Sequence, residues 1–515
     1  MPIRMSKDDN TSNSNDNYPG NVGNGGRGGG GGNGILGILL MLFSRSPKLM
    51  IAVAILFGGY YFFSGQCNPS NTSSSISKVF NLGATLDQKV YDKAEVYEPL
   101  ADNRSNPLPE SISLAEFAPD RKNQGQQGSC VGWGSTYAAA TILQAKATNS
   151  DPNAVAFSPA YTYNQIHLED CQGSYILEAV KILQNGALPF SRFEYNDQDC
   201  SRKPNSQERQ AASNFKIKGA DRLSKSGDDY KTDLLSIKQH LAQGAPVVIG
   251  MMVGGTFMQE MMGQKVWLPT REDYDMQGFG GHCMSVIGYD DFLEGGAFQL
   301  MNSWGTEWGE NGLAWVRYKD FDWFCKEAYG LYPTGTDKKF TTDAIDIEVG
   351  LINNEDGKVI PLKFETENTC STISPIRKGT KFKMEFTNNV ECYTYVFGEE
   401  TDGKSYVLFP YTKKHSPYCG VTGTRLFPKD YSMQADDLGT KDKIVIVVTR
   451  QPIDYVVFNE AMNKSSQKGL EAMVKSALGD KLSNQIQVNG NTKISANGTL
   501  KEGQAFAIVV EIDKN

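Results

Sequence analysis

Histidine is scarce in this chain. Four occur in 515 residues, His167, His240, His282 and His415, so chemistry that needs an imidazole has few places to reside. None of the nine cysteines forms a C-x-x-C pair, which removes the commonest zinc-site spacing. Nine are also too few for a disulfide scaffold of this length. No block of Lys or Arg could track a phosphate backbone, and the formal net charge is -8, so nucleic acid is not an expected partner. Internal repeats are absent. The length itself excludes a single ordinary core and predicts two or more folded domains.

What is present begins with a tail. Residues 1–34 are Asn, Ser, Asp and above all Gly, a composition that buries too little apolar surface to offset chain entropy and predicts disorder. The uncharged run "LMIAVAILFGGYYFF" at 49–63 predicts one membrane helix, with the apolar run at 35–43 extending it or lying at the interface. Tyr60 to Phe63 are too bulky for a signal-peptidase site, so residues 35–64 read as an uncleaved anchor. Arg45 and Lys48 precede the run, which predicts a cytoplasmic N-terminus and an exported remainder, periplasmic or extracellular. Polar residues 65–105, with "NPSNTSSS" and "NRSNP", predict a flexible tether.

From 106 to 335 helical signals come first and strand signals later. "SCVGWGSTYAAATILQAKA" and "SYILEAVKILQNGALP" predict helices. "APVVIGMMV", "HCMSVIGYD", "AFQLMNSWG" and "GLAWVRY" predict strands, giving an α+β domain. Residues 336–515 turn to short alternating runs at the spacing of a β-sandwich or barrel, interrupted by one helix at roughly 457–478.

The chemistry concentrates in three stretches. A thiol nucleophile needs its thiolate stabilised, which a helix N-terminus and a nearby imidazolium both achieve. In "NQGQQGSC" the Gly/Gln-rich turn precludes helix before Cys130, which therefore meets the free N–H groups of a helix start. His282, behind "GFGG" and opening a strand, is the candidate base, and Asn302 in "LMNSWGTEWGENG" is a neutral amide able to orient it. The backbone N–H of Cys130 and the side chain of Gln124 are candidate oxyanion donors.

In this order the three motifs resemble the papain family of cysteine peptidases over roughly residues 106–335. The resemblance implies a two-lobed fold, helical lobe against antiparallel β lobe. It also implies hydrolysis of peptide or protein substrates through an acyl-enzyme, without metal or organic cofactor. Residue by residue it implies Cys130 as nucleophile, His282 as acid/base, Asn302 as orienting amide, Gln124 in the oxyanion hole and Trp304 as the indole shielding the His–Asn bond. Gly173 and Ser174 match the family's substrate-binding "GG" pair. Gly281 and Cys283 flank the histidine, Cys283 reaching toward a substrate side-chain pocket or lying buried as a strand thiol.

The departures are informative. Gln127 stands where the family has cysteine and Val131 where it has tryptophan, with Trp133 two further on. The usual first disulfide is lost, and the resemblance then implies that Cys171 pairs with Cys200. No long helical inhibitory propeptide precedes Leu108, so control of activity is expected from elsewhere or not at all. The Met-rich stretch 250–263 is expected in the core or along the cleft. His167, His240 and His415 are expected to be solvated or satisfied locally, and Cys370, Cys392 and Cys419 to give one disulfide and one free thiol. "CYTYVFGEETDGKSYVLFP" resembles an uncharacterised domain appended to bacterial peptidases, for which binding or spacing is the expectation. Two other activities fit the same residues, acyl transfer to an amine and a non-catalytic surface binding role.

Overall fold

A computed structural model of the chain describes residues 3–8, 80–225, 230–334, 342–366 and 368–515. The expected membrane helix at 49–63, the apolar run at 35–43 and Cys67 lie outside the described residues. Among the described residues no helix is long and apolar enough to cross a membrane.

One continuous helix runs from Cys130 to Thr148, its central turns Trp133–Ala140 wound as a π-helix, and it ends at Asn149 in the left-handed conformation (φ 50°). Its Ala-rich stretch Ala138–Ala140 is fully buried, which lets neighbouring backbone approach closely. Ser135 Oγ, for example, donates to the Val131 carbonyl, and Ser285 Oγ donates to the Gly134 carbonyl across the interface. Helices Pro159–Ile166, capped by Ser158 with Pro at its first position, and Ile176–Asn185, stopped by Gly186, complete the helical lobe.

The second lobe is an almost wholly antiparallel sheet. Its strands run in the order Ile217–Arg222, Cys325–Thr334, Val247–Val253, Gly280–Asp290, Ala297–Met301, Leu313–Arg317 and Val266–Trp267, with Ser111–Ser113 on the side of Gly280–Asp290. The two central strands are buried on both faces, which explains their near-continuous apolar runs. Strands Ile217–Arg222 and Cys325–Thr334 went unread in the sequence. The first carries Lys, Gly, Asp and Arg, and its place in the sheet comes from its partner, not from its own pattern.

Residues 342–515 form two sheets facing one core, a sandwich. The expected single helix at 457–478 is two, Tyr455–Lys464 and Leu470–Leu478, separated where Gly469 takes a positive φ of 86°. Both cover the outer side of the sheet containing Cys392–Glu399 and Lys441–Thr449 through Met462, Leu470, Met473 and Val474.

Two expectations about the N-terminal region are overturned. Residues 3–8 do not belong to a disordered tail: Ile3–Lys7 pairs antiparallel with Tyr431–Ala435, Ile3 is buried in the sandwich core, and Asp8 accepts from Ser432 Oγ and pairs with Lys383. A single crossing between residues 8 and 80 would put the two strands of this ladder on opposite faces of a bilayer, so ladder and single crossing exclude each other within one chain. Nor are residues 80–105 a free tether. The Tyr97 N–H donates to the Arg222 carbonyl of the catalytic sheet, and the Val96 N–H donates to the Lys414 carbonyl of the sandwich. Arg425, fully buried, donates to the Glu98 carbonyl, and Gln239 brackets Leu100 by accepting from its N–H and donating to its carbonyl. The linker satisfies its backbone on both domains and seats them together.

Candidate active site

The N-terminus of the Cys130–Thr148 helix abuts the start of the Gly280–Asp290 strand. The Cys283 N–H donates to Cys130 Sγ at 3.4 Å, and the N–H groups of Val131 and Cys130 also face the sulfur. The residue before that donor is His282. Its Nε2–H donates to Asn302 Oδ1 at 2.7 Å, which fixes the tautomer and leaves Nδ1 as the basic nitrogen, without a partner. The Ser303 N–H donates to the same Oδ1 at 2.7 Å and orients the amide. Trp304 lies flat on the imidazole, centroids 4.3 Å apart and planes 26° apart, and screens the His282–Asn302 bond from one side.

Gln124 is held from three sides. Its Oε1 accepts from Ser303 Oγ at 2.7 Å, its Nε2 donates to the Gln127 carbonyl at 3.0 Å, and its own carbonyl accepts from Tyr195 OH at 2.6 Å. Ser303 and Tyr195 are site-building residues that sequence reasoning missed. Ser303 lies inside a quoted motif next to Asn302, whereas nothing local marks Tyr195. Gln127 takes the place of the missing half-cystine by donating to the Asn196 carbonyl. Cys171 and Cys200 form the disulfide implied by the resemblance, with Cα atoms 6.1 Å apart.

The cleft is filled by the chain itself. Residues 80–86, "FNLGATL", run through it as an extended strap. The N–H groups of Gly83 and Ala84 donate to the Gly281 carbonyl at 3.3 and 3.1 Å, Thr85 N–H donates to the Ser174 carbonyl at 3.0 Å, and Ser174 N–H donates back to the Gly83 carbonyl at 2.9 Å. The Asn81 carbonyl accepts from Gln124 Nε2 at 3.0 Å and from Trp304 Nε1 at 3.1 Å. Phe80 stacks on Trp304 at 4.7 Å and 19°. The approach is close: a Cβ on Gly173 would stand 2.6 Å from the Gly83 carbonyl oxygen, and one on Gly281 2.1 Å from that of Ala84. Gly173, Ser174, Gly281, Gln124 and Trp304 thus converge on one bound stretch of peptide.

Cys283 does not join them. It is buried in the core with its sulfur against Gly134 of the helix, so its place among the substrate-binding residues is corrected to that of a strand thiol. Met251 and Met261 are likewise core residues. His240 is buried with Nδ1 on the Ser236 carbonyl, while His167 bonds the Leu168 carbonyl and His415 bonds Thr412.

The covered site is buried, and burial acts on the charge of its groups. Cys130 and His282 are wholly buried. Burial pushes the Cys130 thiol up to about 12 against the pull of the three N–H groups. Burial also pushes His282 down to about 4, against the support of Asn302. Both groups are therefore neutral near pH 7, and no hydrogen bond joins them in this state. Burial under the strap thus opposes the thiolate that the helix start favours. Among the described residues no cluster of metal-ligating side chains occurs.

A cysteine at a helix start, beside an imidazole oriented by an amide, defines the class of cysteine-type hydrolases. Comparison with known proteins narrows it. Residues 108–329 match the model of the papain family cysteine proteases, and residues 376–452 match a domain of unknown function (DUF4384). Cysteine proteinase 3 of Entamoeba histolytica is 26% identical over 239 residues, 44% of this chain and 68% of that protein. An uncharacterized peptidase C1-like protein of Acanthamoeba polyphaga mimivirus is 26% identical over 251 residues, 47% of this chain and 74% of that protein. Among solved structures, xylellain, a cysteine protease from Xylella fastidiosa, is 21% identical with a TM-score of 0.40, covering 52% of this chain and all of that one. The chain carries a papain-family cysteine protease domain of α+β fold, followed by a β-rich region, and is a cysteine-type peptidase.

Proposed function

We propose that the chain is a latent, membrane-anchored peptidase in which Cys130, His282, Asn302 and Gln124 carry out hydrolysis once the strap 80–86 has left the cleft. The observation that carries this reading is the strap itself: an extended peptide bound through its backbone, with one carbonyl on Gln124 and its neighbours on Ser174 and Gly281. A substrate of any sequence offers the same backbone groups. With water admitted, the penalty on charge falls, and the Cys130 proton passes to His282 Nδ1. The thiolate attacks the scissile carbonyl, and Gln124 Nε2 and the Cys130 N–H take the oxyanion. His282 then protonates the leaving amine, and a water deprotonated by the same imidazole releases the acid and restores Cys130.

The test uses an epoxysuccinyl affinity label on the full chain, read by intact mass beside a Cys130→Ala control, together with hydrolysis of fluorogenic peptides. One adduct, absent in the control and formed faster when the strap is loosened, supports the reading. No adduct on folded, reduced protein with a loosened strap removes it. Product carrying an added amine would move the assignment to acyl transfer.

Anchoring rests on the apolar runs at 35–43 and 49–63. Export of the catalytic domain is supported by the Cys171–Cys200 bridge, since such bonds persist in oxidising compartments. A cytoplasmic N-terminus conflicts with the ladder of Ile3–Lys7. Epitope tags at the two ends with protease shaving of intact cells place each.

A further inference from the structure

Cys392 and Cys419 lie in the C-terminal sandwich, far along the chain from the peptidase residues, and the reaction uses neither. They are direct partners in the antiparallel ladder between Cys392–Glu399 and Tyr418–Cys419. Either kind of antiparallel pair, with Cα atoms about 4.5 or 5.5 Å apart, falls inside the roughly 4.4–6.8 Å span that a disulfide bridges. Both thiols reach one hydroxyl, Thr394 Oγ1, at 3.9 Å from Cys392 and 3.6 Å from Cys419. Cys370 is occupied elsewhere, donating to the Val509 carbonyl at 3.4 Å from another strand. The other free thiols among the described residues, Cys130, Cys283 and Cys325, belong to the catalytic domain.

We propose that Cys392 and Cys419 are the site of a second disulfide, which braces the seat between the sandwich and the catalytic domain. Tyr418 precedes Cys419 and faces Tyr393, the next position along the same ladder. It stacks edge-on against Tyr332 of the catalytic sheet at 4.5 Å and lies 4.8 Å from the ring of Tyr393. Its hydroxyl donates to Glu391, which in turn pairs with Lys218 of the catalytic sheet. Locking Cys419 to Cys392 therefore fixes the residue that plugs one domain into the other.

Access and reactivity agree with the geometry. Both thiols are buried, but Cys392 borders a cavity of about 700 Å³ that also touches Lys218, Tyr393, Tyr418 and Arg450. Burial disfavours a charged Cys419. The hydrogen bond from Cys392 and the positive charge of buried Arg425 outweigh it and bring the thiol down to about 6. Interaction with Cys419, together with burial, holds the Cys392 thiol well above its ordinary value.

The oxidant is a small disulfide, RSSR, such as oxidised glutathione, entering the cavity. The shared proton moves to Cys419, and the Cys392 thiolate attacks one sulfur of RSSR and expels RS⁻, which takes a proton from solvent. Cys419 gives its proton back to solvent and attacks Cys392 Sγ, expelling the second RS⁻, which is protonated in turn. Two thiols are oxidised to one disulfide and RSSR is reduced to two RSH.

The experiment reduces the folded full chain, equilibrates it with glutathione disulfide, blocks remaining thiols and digests it with trypsin without reduction. Cleavage after Lys and Arg puts Cys392 in 384–404 and Cys419 in 415–425, with Cys171 and Cys200 in separate peptides as an internal control. The expected result is a linked 384–404/415–425 pair. The oxidised protein should also unfold at a higher temperature than one with only Cys171–Cys200 closed, a rise absent from the Cys392→Ser, Cys419→Ser double variant. Finding 384–404 and 415–425 separately blocked while Cys171–Cys200 is linked overturns the proposal, as does a link from either to Cys370.

Discussion

Replacing Gly83 by alanine, G83A, changes the strap and leaves the identity of every residue of the site as it is. Its Cβ would stand 2.1 Å from the Gly128 carbonyl oxygen and 2.3 Å from the carbonyl carbon. The space around Gly128 is itself tight, since a Cβ on it would stand 3.0 Å from the Gly173 nitrogen and 3.1 Å from the Cys171 carbonyl oxygen. The strap must therefore lift. Lifting breaks the four backbone hydrogen bonds of Gly83, Ala84, Thr85 and Ser174 and the stack of Phe80 on Trp304. At about 1 kcal/mol net for each good hydrogen bond and about 1 kcal/mol for the stack, the closed state loses roughly 3–5 kcal/mol. If labelling of Cys130 proceeds only from the open state, its rate follows the open fraction, so G83A should react about 100-fold faster than wild type or more. The assay is the rate of epoxysuccinyl adduct formation by intact mass, with thermal unfolding to show that the variant remains folded. Equal rates in folded wild type and G83A would refute the argument, because they would mean that the strap does not limit access.

Four further outcomes follow from the same site and its surroundings. His282 titrates lower under the strap than in the open cleft, so the open state binds the extra proton and closure weakens as pH falls from about 6.5 toward 4, by up to about 3 kcal/mol. Cys130 titrates higher when covered, so closure also weakens as pH rises above about 9, and the ratio of wild-type to G83A labelling rates should be smallest between these limits. A ratio independent of pH would contradict both. Glu98, buried and pushed up to about 7 by desolvation against the pull of Lys429, supports the folded state most fully at low pH, and that support is lost as pH rises from about 4.5 through 7. Glu98→Gln should flatten the fall in unfolding temperature between pH 5 and 8, and an unchanged slope would show that Glu98 is not its source. In the G83A background, Gln124→Ala should lower kcat by roughly 100- to 1000-fold with little change in KM, the signature of a lost oxyanion donor; a change confined to KM would assign Gln124 to binding. Opening the Cys171–Cys200 loop, of sequence separation 29, with Cys171→Ser should destabilise the catalytic domain by about 3 kcal/mol, seen as a lower unfolding temperature.

The candidate catalytic groups stand out in the sequence because each is announced locally. Cys130 follows a turn that no helix accommodates, His282 follows glycines and opens a strand, and Asn302 ends one. Their convergence then follows from a fold in which the helix start meets the start of the histidine strand. The sandwich was legible from period-two runs, while the break at Gly469 was hidden by apolar residues that continue on both sides of it. The effect of burial on charge was not legible, since the sequence shows the helix start but not that Cys130 and His282 are wholly buried.

The strap escaped notice for a physical reason that also bears on how it works. "FNLGATL" holds Phe80, Leu82 and Leu86 at spacing two and four, but its hydrogen-bond partners lie from 43 to 223 residues away, and it follows a Ser/Asn-rich run that reads as linker. Seven residues with a few backbone hydrogen bonds would bind weakly as a free peptide. Here the downstream end is fixed: the Asp87 N–H donates to Glu327, Tyr91 OH bonds the Ala328 backbone, and residues 96–101 are held by Lys414, Ser416, Thr424 and Arg425 of the sandwich. Fixing one end makes closure intramolecular, with an effective concentration in the millimolar range or above, so a short segment suffices where a free inhibitor would need a large interface of its own. Cutting the chain upstream of Phe80 would therefore leave the site covered. A cut between the cleft and Asp87 would separate the strap from these anchors.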